Sequence, residues 1–390
     1  MKKILALLLV LAMALSLAAC GGGEEAAAGE GEYKIAMVTD YADITDQSFN
    51  QSTWEAVTKF GEDNGIEYKY YKPTTNDTAG RVASVELAVV DGYNIIVMPG
   101  YAFGGTIAEI SDDYPDVKFI ALDVGEGDLM EAAVGATYWE DPSAYPLNEH
   151  VHMENVYSAI YQEELCGYMA GYAAVKLGYT KLGFLGGMAV PAVMRFGYGY
   201  VQGVDAAAKE LGIQVEMKYA YGNQFSGDAD ITAVMDTWYQ NGTDVVFACG
   251  GSIYTSVAEA AKKVGGKVIG VDSDQAPIID ANYGEGMTVT SAMKGLAPTT
   301  IDTLTDIIIN GNWDNYAGKI QTLGLVSEDP EANYVQIPMA STQFEEGKFT
   351  AEDYAALVKA MYEGTVTVSN DTSVEPTVTN VDITWLGNIK

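Results

Sequence analysis

The stretch Val268-Ile269-Gly270-Val271-Asp272-Ser273-Asp274-Gln275 ends a short apolar run with a cluster of acidic and amide side chains. A short apolar run that stops at turn-forming residues is typical of a buried strand in a parallel sheet. In open α/β sheets, ligands bind beyond the carboxyl ends of the strands. Asp272 is therefore a candidate ligand-binding residue.

Lys294 follows a second strand-like run, from Met287 to Ser291. A carboxylate accepts hydrogen bonds and an ammonium group donates them, so Asp272 and Lys294 together can hold neighbouring hydroxyl groups of a sugar. Alternatively, Asp272 caps the following turn and Lys294 is a solvated surface lysine. The residues by themselves leave both interpretations open.

Strand and helix patterns alternate in both halves of the chain around this stretch. Repeated βα units predict parallel sheets with helices on both faces. We therefore predict an α/β protein with two similar doubly wound lobes in tandem. The predicted strands are residues 35–39, 68–71, 94–98, 117–122, 182–185, 214–219, 244–248 and 268–271, and the predicted helices are residues 48–62, 79–90, 106–111, 161–177, 193–211, 229–240 and 254–264.

The first twenty residues have the pattern of an export signal. Lys2 and Lys3 precede the apolar run from Ile4 to Leu17, which is too short to span a membrane comfortably. Cys20 directly follows Leu-Ala-Ala, which resembles a bacterial lipobox and predicts cleavage before Cys20 and lipid attachment to its sulfur. We expect an exported protein that is lipid-anchored to the outer face of the cell membrane.

The remaining chain is longer than one hydrophobic core usually holds, so two domains are expected. Residues 1–20 are predicted to be the signal peptide and lipobox, and the Gly/Ala/Glu-rich residues 21–32 a flexible tether. We assign residues 33–155 and about 295–318 to an N-terminal lobe. A C-terminal lobe takes residues 156–294 and about 319–390.

The net charge of −33 makes a nucleic-acid partner improbable, because binding the phosphate backbone requires basic residues. The strand ends contain no Gly-x-Gly-x-x-Gly or Walker motif, so no cofactor is predicted. His150 and His152, with Glu149 and Glu154 nearby, have the residue types of a metal site. Two histidines on a polar segment are more often ordinary surface residues, and no metal is predicted.

Further candidates lie after other predicted strands. Asn50 follows the first strand in a polar loop that opens a helix, and its amide both donates and accepts, as the edge of a heterocycle requires. Asp46 and Ser48 in the same loop are better explained as helix caps. Asp123 follows the fourth strand, and Gly250 follows the strand at residues 244–248.

Several motifs in order resemble the basic-membrane-protein family of ABC-transporter substrate-binding lipoproteins, also called PnrA-like. The resemblance extends from about Tyr33 to Pro338. The motifs are Asp46-Gln47-Ser48-Phe49-Asn50-Gln51 with Trp54, Gly183-Phe184-Leu185-Gly186-Gly187 followed by Pro191, Phe196-Gly197-Tyr198 to Gly203, Val271-Asp272-Ser273-Asp274-Gln275, and Thr290-Ser291-Ala292-Met293-Lys294.

The resemblance implies a type I periplasmic-binding-protein fold, in which a multi-segment hinge joins two lobes and a nucleoside lies in the cleft. Carried over by position, Asp272 and Lys294 match the residues that hold the ribose. Asn50 matches the amide that reads the base, and Asp123 is expected to be a second base contact.

The resemblance also implies aromatic stacking of the base. Phe225 matches the stacking residue of the second lobe, and Phe49 is the candidate from the first lobe. Gly250 is expected to contact the sugar through its backbone.

These expectations describe the substrate-binding lipoprotein of an ABC importer, which captures a purine nucleoside by lobe closure and delivers it to a membrane permease. We do not expect an enzyme. Three alternatives stay open: a receptor of the same fold for a sugar or another small molecule, a ligand sensor that feeds a membrane kinase, and a secreted nucleoside-cleaving enzyme. The enzyme would use Asp272 and Asp274 with a metal.

Overall fold

Two mainly parallel β-sheets flanked by helices make up the described part of the chain, residues 33–390 of the computed structural model. The predicted signal peptide, the lipidation site Cys20 and the tether at residues 21–32 lie outside the described residues. The architecture confirms the predicted α/β fold with two doubly wound lobes.

The strands predicted from the sequence fall close to their predicted positions, and the structure adds β5, β11, β12 and β13, which were not predicted. They are β1 (Lys34–Val38), β2 (Glu67–Tyr71), β3 (Ile95–Pro99), β4 (Lys118–Leu122), β5 (Val156–Tyr161), β6 (Lys181–Gly186), β7 (Val215–Tyr221), β8 (Val245–Cys249), β9 (Lys267–Asp272), β10 (Thr288–Lys294), β11 (Lys319–Leu323), β12 (Val335–Gln336) and β13 (Val381–Asn388).

The longer helices are α1 (Phe49–Asn64), α2 (Thr78–Val90), α3 (Phe103–Ile110), α4 (Glu126–Val134), α5 (Glu163–Lys176), α6 (Pro191–Leu211), α7 (Ala229–Gln240), α8 (Tyr254–Lys262), α9 (Ala276–Tyr283), α10 (Leu296–Leu304) and α11 (Ala351–Tyr362). Short helical turns at residues 136–140, 142–144, 147–150, 305–309 and 313–315 complete the helical structure of the described residues.

The first lobe contains a parallel sheet with the strand order β11-β5-β4-β3-β1-β2. All five residues of β3 are buried, as expected for an apolar strand that helices cover on both faces. Local signals place the helices: the Asp77 side chain accepts a hydrogen bond from the Gly80 amide and caps α2. Gly65 ends α1 in the left-handed conformation that glycine adopts without strain.

The second lobe contains a sheet with the order β12-β10-β9-β8-β6-β7-β13. All pairs in it are parallel except β10 with β12. Leaving aside β11, β12 and β13, the five remaining strands of each sheet share one order, so β4 corresponds to β9 and β5 to β10. The carboxyl ends of these strands are where the fold positions a ligand site.

The structure moves two of the predicted lobe boundaries. The prediction placed residues 156–294 and about 319–390 in the second lobe, but β5 and β11 pair with each other in the first sheet. The strand β5 was not predicted, because its apolar residues run almost directly into α5 and no turn residue separates the two elements. The predicted helix at residues 161–177 begins instead at Glu163.

Within residues 33–390, three connections join the lobes: β5 to α5, β10 to α10, and β11 to β12. Backbone hydrogen bonds tie these connections together. The Gln162 amide donates to the Leu323 carbonyl at 2.9 Å, and the Gly295 amide donates to the Tyr334 carbonyl at 2.6 Å. The Tyr334 amide in turn donates to the carbonyl of Gly324 at 3.1 Å. These bonds form a multi-segment hinge.

Across residues 33–390, no helix combines the length and the apolar composition that a membrane span requires.

Candidate functional site

A cavity of about 600 Å³ lies between the carboxyl ends of the two sheets, and we call it the cleft. All seven residues predicted to bind a ligand lie on its wall: Phe49, Asn50, Asp123, Phe225, Gly250, Asp272 and Lys294. They come from six separate places in the chain, since Phe49 and Asn50 are adjacent, and the sheets bring them together at their carboxyl ends.

Lys294 is the centre of a buried charge cluster. Its ammonium group pairs with the Asp123 carboxylate of the opposite lobe, and lies 3.4 Å from Glu163 and 3.8 Å from Asp272. Burial opposes the charge on Lys294, but these carboxylates outweigh burial and raise its pKa. The lysine therefore stays protonated and can donate hydrogen bonds to a ligand.

Asp272 ends β9 with a φ of 63°, in the left-handed region of backbone conformation that residues other than glycine rarely adopt. The Ser48 hydroxyl of the first lobe donates a hydrogen bond to its Oδ2 at 2.6 Å. Ser48 was expected only to cap a helix, and no hydrogen bond of its side chain to the α1 backbone is present. Ser48 instead connects the two lobes.

Asp123 follows β4 with a φ of 62°. Its Oδ2 accepts from Lys294, whereas its buried Oδ1 has no hydrogen-bond partner among the described residues. Burial raises the pKa of Asp123 to about 7, against the effect of the nearby Lys294 charge. Asp123 was predicted to contact the base, and the structure places it beside the predicted ribose residue Lys294, with one free acceptor atom.

Asn50 offers the second free acceptor. Its Nδ2 donates to Asp40 at 3.2 Å and to Asp46 at 3.1 Å. Because these bonds orient the amide, its buried Oδ1 faces away from them and has no partner among residues 33–390. A buried polar atom without a partner is costly unless a ligand satisfies it.

Asp40 is a cleft residue that the sequence analysis did not single out. It follows β1, lines the cleft and accepts hydrogen bonds from the amides of Tyr41 and Ala42 as well as from Asn50. Burial raises the pKa of its carboxyl above the usual range. Its position directly after a predicted strand was the signal that could have identified it.

The ring of Phe225 requires glycine at two neighbouring positions. A Cβ on Gly187 would lie 2.3 Å from the Phe225 ring, and one on Gly250 would lie 2.7 Å from it. Gly250 also has a φ of 144°, which favours glycine. The two glycines thus let the Phe225 ring approach the strand ends closely at the wall of the cleft.

Phe49 lies beside Lys294 on the wall of the cleft. The Lys294 ammonium group is 4.8 Å from the centre of its ring and 5.4 Å from the centre of the Phe196 ring. Both distances permit a cation–π interaction, and these interactions help to hold the buried charge of Lys294.

Glu163 and Arg195 extend the charge cluster, and the sequence analysis identified neither. Arg195 Nε donates to Glu163 Oε2 at 2.6 Å, and the other oxygen of Glu163 faces Lys294. The Glu163 side chain is fully buried. In the sequence Glu163 is an ordinary acidic residue in a first helical turn, so no local signal marked it.

Hydrogen bonds also connect the lobes at the rim. The Gln275 side chain donates to the Gln47 carbonyl at 3.0 Å, and the Ser273 hydroxyl donates to the same oxygen at 3.3 Å. Asp274 accepts from the Ala276 amide within its own turn. These contacts describe lobes that face each other across a narrow cleft.

The two histidines that have the residue types of a metal site make separate contacts. His152 is 3.5 Å from Asp112, and His150 packs against the ring of Tyr145. Among residues 33–390, no group of three or more His, Cys, Asp or Glu side chains is arranged to hold a metal ion.

The arrangement as a whole is suited to binding a polar molecule with an aromatic part. It offers free acceptors on Asn50 and Asp123, a protonated lysine beside Asp272, and the aromatic rings of Phe49 and Phe225. Ligand pockets commonly combine apolar walls with a few fixed polar groups of this kind.

Solved structures of transport proteins share the fold. A solute-binding protein of an ABC transporter system from Aeropyrum pernix K1 superposes with a TM-score of 0.63, at 19% identity over 87% of this chain and 88% of that one. A corresponding protein from Conexibacter woesei has a TM-score of 0.61 at 18% identity, over 87% of this chain and 99% of that one. At this identity the likeness shows the fold.

Sequence relatives carry more specific names. A Lactococcus lactis protein named ABC transporter nucleoside-binding protein BmpA is 28% identical, over 63% of this chain and 65% of its own length. Basic membrane protein B of Borreliella afzelii is 27% identical, over 76% of this chain and 80% of its own. The family model described as "Bmp: ABC transporter substrate-binding protein PnrA-like" matches residues 33–346. This chain belongs to that family of ABC transporter substrate-binding proteins.

Proposed function

We propose that the protein captures a purine nucleoside in the cleft and presents it to the permease of an ABC importer. One observation carries the proposal: Asn50 and Asp123 line the same cavity as Asp272 and Lys294, and the buried Oδ1 atom of each has no partner among the described residues. The N–H groups of a heterocycle satisfy free acceptors, and ribose hydroxyls suit a carboxylate beside an ammonium group.

The aromatic residues support the same ligand. In the proposed complex the base stacks against Phe225, with Phe49 as the facing ring of the first lobe and the Gly250 backbone against the sugar. Stacking of a base on an aromatic side chain contributes about 1–3 kcal/mol in proteins that bind single-stranded nucleic acid. Stacking tolerates different bases, and the free acceptors would then select among them.

Capture proceeds by closure of the lobes. Asp123 and Asn50 belong to the first lobe, and Asp272 and Lys294 to the second, so a nucleoside completes its contacts only when the lobes face each other. Binding therefore favours the closed form by the difference in affinity between the two forms. The hinge connections at residues 161–163, 294–296 and 323–335 are the segments that would bend.

In this proposal the chain is exported and held at the outer face of the membrane by lipid on Cys20. Anchoring keeps the receptor near its permease. The net charge of −33 disfavours polyanionic ligands such as nucleic acid.

A thermal-shift panel tests the ligand class. Purified full-length protein in mild detergent is heated with nucleosides, free bases and sugars. A nucleoside at a hundred times its Kd should add about 2.7 kcal/mol of stability and raise the melting temperature. A shift with sugars alone would contradict the nucleoside proposal and support the sugar receptor.

A second measurement separates binding from catalysis. The same protein is incubated with inosine and the solution is analysed for free hypoxanthine. The proposal expects no release above a protein-free control. Turnover would establish the nucleoside-cleaving alternative.

A further inference from the structure

Part of the cleft wall takes no part in the ligand contacts proposed above. We call this part the Arg195 pocket, and its residues are Gly125, Gly127, Asp128, Trp139, Arg195 and Thr372. Arg195 lies on α6 of the second lobe, whereas Asp128 lies on α4 of the first. The pocket is therefore complete only when the two lobes face each other.

Arg195 enters this pocket in a fixed orientation. Its Nε donates to Glu163 at 2.6 Å, and Glu163 in turn faces Lys294 at 3.4 Å, so the pocket adjoins the Lys294 end of the cleft. An arginine carries five N–H donors. Among residues 33–390, the terminal nitrogen atoms of Arg195 make no hydrogen bond, and its side chain is 17% exposed. These donors remain available to a ligand.

Asp128 faces Arg195 from the opposite lobe. Its Oδ2 accepts from the Gly125 amide at 2.8 Å, and no other described residue donates a hydrogen bond to this carboxyl group. The Arg195 charge acts on Asp128, yet no ion pair within 4.0 Å joins them in residues 33–390. Burial raises the pKa of Asp128 to about 6. The two side chains thus line the same cavity without pairing directly.

Trp139 forms a rigid wall of the pocket. Its indole N–H donates to Glu131 at 2.9 Å, and a Cβ on Gly127 would lie 2.5 Å from its ring. The side chain is nevertheless 54% exposed. The Trp139 ring is held on two sides and is partly open to solvent. It therefore limits the size of a ligand group that enters the pocket.

We propose that the Arg195 pocket binds the 5′-hydroxyl of the nucleoside, with Arg195 donating to the hydroxyl oxygen and Asp128 accepting its hydrogen. This inference rests on the proposed function and adds the recognition of the sugar's exocyclic end. A hydroxyl both donates and accepts, so it satisfies both side chains at once. A 5′-phosphate would place negative charge against Asp128, while Arg195 is already neutralised by Glu163. The pocket thus selects nucleosides over nucleotides.

Calorimetry on the purified full-length protein tests this assignment without changing the fold. Adenosine and inosine are compared with their 5′-deoxy analogues and with AMP. Loss of the 5′-hydroxyl should raise the Kd of the wild type by about tenfold or more, as expected for a lost hydrogen bond to charged groups. AMP should bind at least as weakly as 5′-deoxyadenosine.

The variant Asp128→Ala identifies the protein side of the contact. In this variant, removal of the 5′-hydroxyl should raise the Kd by less than about threefold, because one partner is already absent. Glu126→Gln, in the same first turn of α4 but outside the cleft wall, is the matched control and should show the full wild-type loss. Circular dichroism verifies the fold of both variants.

The outcomes separate the two proposals. Equal Kd values for adenosine and 5′-deoxyadenosine in the wild type would overturn the pocket assignment and leave the nucleoside function intact. An undiminished loss in Asp128→Ala, or AMP binding as tightly as adenosine, would also overturn it. Failure of every nucleoside to bind would overturn both proposals.

Discussion

The two lobes have the same five-strand core but opposite charges at the cleft. The cleft wall of the first lobe carries five aspartates, whereas both cations on the wall, Arg195 and Lys294, come from the second lobe. The aspartates of the first lobe are Asp40, Asp43, Asp46, Asp123 and Asp128. In the described cleft, the aspartates of the first lobe therefore face cations that only the second lobe supplies.

Equivalent strand ends show how this difference arises. Asp123 follows β4 and Asp272 ends β9, and both have a φ near +60°. The neighbouring strands end differently, with Tyr161 on β5 and Lys294 on β10. Both lobes thus place an acid at one strand end, but only the second lobe places a cation at the neighbouring strand end. The acid of the first lobe therefore depends on the lysine of the second.

Removal of that lysine should have the largest effect. Lys294→Met leaves Asp123, Asp272 and Glu163 buried without their common cation, and should lower the free energy of unfolding by about 3–5 kcal/mol at pH 7. Nucleoside binding should be lost as well. Urea denaturation and calorimetry measure the two effects. Lys59→Met replaces an exposed lysine of α1, and this control should keep nearly the stability of the wild type. Wild-type stability in Lys294→Met would contradict the dependence between the lobes.

The next effect concerns the acid of the second lobe. Asp272→Ala should weaken nucleoside binding by more than about 2 kcal/mol, because a buried carboxylate that accepts from ribose hydroxyls is removed. Asp274→Ala is the matched control, since within residues 33–390 that side chain accepts a hydrogen bond from the Ala276 amide alone. Calorimetric titration of both variants gives the difference. Near-wild-type affinity in Asp272→Ala would refute the ribose role.

A third prediction compares the helices that leave β5 and β10. The helix α5 begins with the buried acids Glu163 and Glu164, whereas α10 begins with Leu296. The Glu164 side chain is buried, its Oε2 has no partner among the described residues, and burial raises its pKa from 4.5 to about 7. Between these values the folded state binds more protons than the unfolded state, so this group lowers stability as pH rises from about 4.5 to 7.

Glu164→Gln should remove this pH dependence. The variant should be more stable than the wild type by about 2 kcal/mol at pH 8 and by less than about 1 kcal/mol at pH 5. Urea denaturation at both pH values measures the difference. Glu109→Gln, an exposed glutamate on α3, should follow the wild type at both. A variant that gains no stability at pH 8 would show that Glu164 is solvated or paired.

The smallest effect concerns the tyrosine that occupies the place of Lys294 in the first lobe. The Tyr161 hydroxyl is buried and has no hydrogen bond of normal geometry in residues 33–390. Tyr161→Phe should therefore change the free energy of unfolding by less than about 1 kcal/mol. In Tyr157→Phe, by contrast, the loss of a bond to Gln321 at 2.8 Å should cost about 1 kcal/mol. A cost above about 2 kcal/mol for Tyr161→Phe would assign its hydroxyl a contact in the charge cluster.

Much of the fold was predictable because it depends on local patterns. Apolar runs and helical periodicity located most strands and helices, and polar residues after those strands identified Asn50, Asp123 and Asp272, all of which line the cleft. β5 and β11 could not be assigned to the first lobe in this way. Sheet membership depends on pairing between distant segments, and the apolar pattern of a hinge strand does not show which sheet it joins.

By itself, the sequence determined that this is an α/β protein whose polar residues collect at strand ends, because periodicity and turn residues act over a few positions. Only the tertiary structure decided which of those residues meet: Ser48 with Asp272, Asp123 with Lys294, and Glu163 with Arg195. These partners lie far apart in the chain or on opposite lobes. Their energies come from burial and charge in the closed cleft, which no local pattern encodes.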